Sequence, residues 1–135
     1  MTEKQSKFVE AVARLIKLTQ DGELMWESSK PSAELERDGI KDESVFISRY
    51  KDRILRLYKY SYRVDEPGLF DISTSFFPIK VKYPYWASSV TLEFIDDNGF
   101  SLWKFPFTNA LNDLFQAVQY QFAGVDEFLD KLLNE

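Results

Sequence analysis

The chain has 135 residues, 44% of them hydrophobic, and its 22 acidic against 17 basic side chains leave a net charge of −5 at pH 7. A chain this long buries roughly two thirds of its unfolded surface, so one core is sustainable without a metal or disulfide. It contains no histidine and no cysteine, which excludes Ser-His-Asp and Cys-His nucleophiles, Cys/His zinc sites and disulfides. An acidic balance also disfavours bulk attraction to nucleic acid or anionic lipid, since both depend on many lysine and arginine contacts to phosphate. No apolar run reaches the ~20 residues that cross a bilayer. The start, Met1 to Lys7, is polar rather than leader-like. A cytoplasmic chain with no membrane partner is the expectation.

In chain order, Glu3 to Gln20 reads as a helix. Thr2 and Gln5 have the spacing of a capping box, and Gly22 supplies the stop. Phe8, Val9, Val12, Leu15, Ile16 and Thr19 lie on one face at a 3.6-residue period. Leu24 to Ser28 alternates as a short strand, and Ala33 to Glu43, charged and without apolar periodicity, reads as a loop. Val45–Tyr50 and Arg53–Val64 are rich in β-branched and aromatic residues around Lys51-Asp52, the pattern of a long hairpin. A two-residue loop there pairs Ser48 with Leu55 and Phe46 with Leu57 on one face. Arg49/Ile54, Ile47/Arg56 and Val45/Tyr58 fall on the other. Neither face is cleanly apolar, so which one is buried stays open. Asp65-Glu66-Pro67-Gly68 is a turn, and the proline-containing stretch after it leaves room only for an edge strand at Ile79, Val81 and Tyr83.

A second hairpin is expected from Val90 to Pro106, closed by Asn98-Gly99 as a type I′ turn. Counting from that turn pairs Ile95 with Leu102, Phe94 with Trp103 and Glu93 with Lys104. Leu92, Phe94, Trp103 and Phe105 then point to the core, and Glu93/Lys104 form a charge pair on the wetter face. Thr108 or Asn109 caps a closing helix bearing Leu111, Leu114, Phe115, Val118 and Phe122. After Gly124, the stripe Val125, Phe128, Leu129, Leu132 and Leu133 marks a further helix or a kinked continuation. The expected fold is one α+β domain, residues 1–135: a single antiparallel sheet of five or six strands with the N-terminal helix and C-terminal helices packed on one face.

The segments 18–26, 54–58, 90–106, 111–121 and 124–129 resemble a group of small bacterial proteins, mainly cyanobacterial. The resemblance implies the same order of helix, antiparallel meander and helix, and brings no activity, cofactor or site residue with it.

Charge is distributed unevenly. Residues 49–88 hold eight basic and four acidic groups, whereas residues 89–135 hold two and eight. Arg49, Arg53 and Arg56 interleave with Tyr58 and Tyr60, a composition that suits either a solvated sheet face or stacking and phosphate contacts with a single strand. Tyr85 and Trp86 belong to an aromatic middle stretch with Phe70, Phe76, Phe77 and Tyr83, which reads either as a lid on the sheet or as a protein-binding hot spot. The carboxylate clusters lack calcium-loop or nuclease spacing, and the five glycines are isolated, so neither a metal site, a cofactor nor a phosphate loop is expected. By elimination, the expectation is a non-enzymatic protein-binding module, acting as an adaptor, immunity-type inhibitor or regulator, with another protein or a second copy as partner. Its candidate residues are Arg49, Arg53, Arg56, Tyr58, Tyr60, Tyr85 and Trp86. The alternative is a nucleotide or single-stranded nucleic-acid binder working through strand 49–63.

Overall fold

A computed structural model describes residues 2–30, 41–65 and 82–134. Helix α1 spans Glu3–Gln20, and strands β1 to β5 span Glu27–Ser29, Lys41–Tyr50, Arg53–Val64, Tyr85–Ile95 and Ser101–Lys104. Helices α2 (Ala110–Phe122) and α3 (Val125–Leu133) follow. The strands form one antiparallel sheet in the order β1-β2-β3-β4-β5, so the fold is α+β, with five strands among the described residues.

Local chemistry accounts for most boundaries. Thr2 Oγ1 accepts the Gln5 amide at 3.2 Å while the Thr2 amide donates to Gln5 Oε1 at 2.9 Å, closing the capping box. At the other end Gly22 takes φ 76°. The Glu23 amide then reaches back to Leu18 O and the Gly22 amide to Thr19 O, so two carbonyls that the helix would leave open are satisfied. Leu24 and Trp26 turn inward and Met25 outward, as the alternation predicts, but ladder pairing starts only at Glu27.

The β2–β3 hairpin has the expected register, with Tyr50 opposite Arg53 and Val45 opposite Tyr58. β2 starts earlier than the predicted loop allows, at Lys41, and a bulge between Asp42 and Ser44 absorbs the extra length. Residues 33–40 of that loop, the turn at 66–68, and Phe70, Phe76, Phe77, Ile79 and Val81 lie outside the described residues. Tyr83 precedes β4 rather than lying in a strand, and β4 begins at Tyr85, within the stretch expected to be irregular.

The second hairpin is corrected at its turn. Phe94/Trp103 and Glu93/Lys104 pair as counted, but Ile95 pairs with Ser101 instead of Leu102. A type I′ turn needs positive φ at both central residues, and here Gly99 has φ 87° while Asn98 does not share it. Asp96 explains the difference. Its Oδ1 accepts the amides of Asn98 and Phe100, both at 2.9 Å, which winds a wider loop and leaves a bulge beside Ile95.

Val12, Leu15 and Leu18 of α1 and Leu111, Leu114, Phe115 and Val118 of α2 pack with Phe46, Leu55, Leu57, Val90 and Leu92 in one core cluster. This identifies the hairpin face left open by the sequence: Phe46, Leu55 and Leu57 face the helices. Asn109 stands at the α2 cap position without a side-chain hydrogen bond, contrary to expectation. Gly124, at φ 68°, breaks the run between α2 and α3, which is a separate short helix.

Candidate functional site

Strand alternation divides the seven residues proposed from the sequence between two faces. Arg53 and Trp86 project to the helix side of the sheet, whereas Arg49, Arg56, Tyr58, Tyr60 and Tyr85 project to the far side. Length separates them further. Arg53 and Tyr60 lie seven positions apart on β3, roughly 23 Å at the rise of an extended strand. Arg53 therefore shares no surface with Tyr60 and Tyr85, whereas Arg56 lies 6.0 Å from the Tyr58 ring.

Two of the seven are interior. Arg56 is 4% exposed and Tyr58 2%. Arg56 sits directly opposite Glu93 on β4, and its Nε donates to Glu93 Oε1 at 2.6 Å while Nη1 donates to the Gly99 carbonyl at 2.9 Å. The charge pair expected between Glu93 and Lys104 on a wet face is thus corrected. Glu93 is fully buried, and its cation comes from the strand on its other side. The remaining oxygen, Glu93 Oε2, has no partner among the described residues. An arginine committed in this way organises the β4–β5 turn and is not presented to a phosphate.

The far face also carries a file of tyrosines. Tyr58 and Tyr60 have ring centroids 5.6 Å apart, and Tyr60 and Tyr62 6.0 Å. Tyr83 and Tyr85 form a second pair at 5.3 Å. Burial, reinforced by the Glu93 charge, pushes the Tyr58 phenol up to about 12. Its protonated form is favoured by folding, so the stabilisation is complete below pH 10 and lost as pH rises from 10 through about 12. We expect urea midpoints to fall between pH 9.5 and 11.5 in the native chain and to fall less in Tyr58→Phe; equal slopes would place Tyr58 in water.

A different surface was legible as a stripe but not as a site. Helix α3 has no buried residue. Phe128 is 61% exposed, Leu132 55% and Leu133 76%, and all three lie on one side of the helix with Leu129 and Val125. The helix is held at its start. Tyr120 Oη donates to Asp126 Oδ1 at 2.6 Å across the Gly124 joint, which raises the Tyr120 pKa through that bond first. Exposed Phe122, at the end of α2, stacks edge-on with Phe46 at 5.4 Å.

Beside the joint, a groove of about 780 Å³ runs between the last turns of α1 and α2, the α1–β1 turn and the start of α3. Gln121 builds its inner wall. The side chain reaches back across 95 residues to accept the Trp26 amide at 3.1 Å, and its Nε2 donates to Thr19 O at 2.9 Å and Leu24 O at 2.8 Å. Trp26 Nε1 completes the junction by donating to Thr19 Oγ1 at 3.1 Å.

Among the described residues no group of three acidic side chains has a metal-holding arrangement, and no helix is long and apolar enough to cross a membrane. No known protein family matches the chain, and neither a curated protein nor a solved structure matches it.

Proposed function

We propose that the chain is a non-enzymatic module that binds another protein through its C-terminal helices. The observation that carries this reading is the uncovered apolar side of α3, where Phe128, Leu132 and Leu133 are each more than half exposed. Scattered exposed apolar residues are ordinary, but a contiguous helical stripe loses free energy in water that a partner recovers. Phenylalanine and leucine at helical spacing are the anchors by which helices pack onto one another across interfaces. On the helix side of the sheet Trp86, 60% exposed, contributes as well. Arg56 and Tyr58 support the strands beneath.

The placing of Arg53 on the opposite face from Tyr60 and Tyr85, and the commitment of Arg56 to Glu93, favour a protein over a nucleic acid. The test compares the native chain with the double substitution Phe128→Glu/Leu132→Glu as baits in nuclease-treated lysate. Neither position contributes to the core, so melting temperatures should agree within a few degrees. The expected result is a stoichiometric protein that the native chain retains and the variant loses. Equal eluates from both baits, or nucleic acid as the only retained component before nuclease treatment, would refute the reading.

A further inference from the structure

We infer that the groove between α1, α2 and α3 receives a basic amphipathic helix, an inference that rests on the protein-binding reading and names the chemistry of the partner. Its floor is apolar, with Ile16, Ala117 and Val125 inside and Met25 at the edge. Its rim is acidic: Asp113, Asp126 and Glu127 line it, and no lysine or arginine does among the described residues. Glu127 is engaged by Lys131 at 3.2 Å in an exposed pair one turn apart on α3, and Asp126 accepts the Tyr120 hydroxyl. Asp113 is exposed and has no ion-pair partner among the described residues.

The last turns of α1 and α2 line one side of the groove with helix C-termini, which carry partial negative charge, and on the other side Asp126 and Glu127 offset the positive N-terminal end of α3. An acidic peptide or an anionic lipid would meet repulsion here. An apolar helix would leave the rim unsatisfied, whereas leucine and lysine on adjacent sides of one helix would match floor and rim together. Val125 belongs both to the groove and to the exposed stripe of α3, so a helix seated in the groove is in line to cover Leu129 and Leu132 as well.

The experiment titrates the full chain with a fluorescent leucine/lysine amphipathic peptide and with a leucine/glutamate peptide of the same pattern, at about 0.15 M salt so that exposed charges are screened beyond ~8 Å. The basic peptide is expected to bind at least ~10-fold more tightly than the acidic one, a difference of about 1.4 kcal/mol. Ala117→Phe fills the floor without changing charge and should weaken the basic peptide ~10-fold, as should Met25→Arg at its exposed position. Asp113→Asn should weaken it severalfold. Affinity unaffected by Ala117→Phe and Met25→Arg would reduce the interaction to general charge attraction and overturn the inference. A dimer in sedimentation that the peptide displaces would overturn it in favour of a second copy. If the lysate bait retains its α3-dependent partner while the basic peptide fails, only the identity of the occupant falls; if that bait is also empty, the protein-binding reading falls with it.

Discussion

Arg56→Ala is expected to destabilise the protein by ~3–5 kcal/mol, because it leaves the Glu93 carboxylate buried without its cation. Glu93 is fully enclosed in the centre of the sheet, where β3 and β4 set it directly opposite Arg56. Removing the guanidinium takes away both bonds to Oε1 and, through Nη1, the bond that fixes the Gly99 carbonyl in the β4–β5 turn. A double substitution to shape-matched apolar residues, Arg56→Met with Glu93→Leu, removes the uncompensated charge along with the pair and should recover most of the loss. Urea unfolding followed by circular dichroism reads both. A single substitution costing under ~1 kcal/mol would mean that Glu93 meets water.

Trp26→Ala carries the second large effect, ~3–5 kcal/mol for an aromatic lost from a core. Trp26 is 4% exposed and sits where the chain leaves α1 for the sheet, within the main core cluster. Its indole also donates to Thr19 Oγ1, which itself donates to Leu15 O at 2.8 Å inside α1. Trp26→Phe separates the two contributions. It keeps most of the packing and loses the indole donor, so it should cost the residual cavity plus about 1 kcal/mol for the hydrogen bond. If Phe proves as damaging as Ala, hydrogen bonding rather than volume holds this corner, and Gln121→Ala should then be equally severe.

Sequence reasoning succeeded where neighbours along the chain determine the outcome. Thr2 and Gln5 cap α1 because they are three residues apart, and Tyr50 meets Arg53 because only Lys51-Asp52 separates them. The turn after Asp96 shows how a local reading is overridden locally: Asn98-Gly99 is a hairpin signal, but the Asp96 carboxylate captures two amides and shifts the pairing of Ile95 by one residue. Arg56 and Glu93 belong to another class. Their meeting depends on the β3–β4 register, and the connection between those strands, residues 65–84, is too long for a turn signal in the sequence to fix that register by counting. Hence Arg56 looked like one more cation in a basic strand, and Glu93 was assigned to Lys104. The α3 stripe was readable as a helix face, yet periodicity alone says nothing about whether a face is covered. Gln121 gave no signal, since one glutamine among several on α2 is distinguished only by what lies 95 residues away.

That separation bears on the order in which the molecule assembles. Strands β2 to β5 follow one another in sequence and space, but only the β2–β3 and β4–β5 hairpins close through short-range steps, and β3 meets β4 across the 65–84 connection. The sheet's apolar face is sealed by α1 and α2 together, elements at opposite ends of the described chain whose mutual contacts are extensive. Leu57 and Leu92 are therefore covered only when Leu111 through Val118 dock against the sheet, and a sheet paired before that step exposes the kind of apolar surface that aggregates or is held by chaperones.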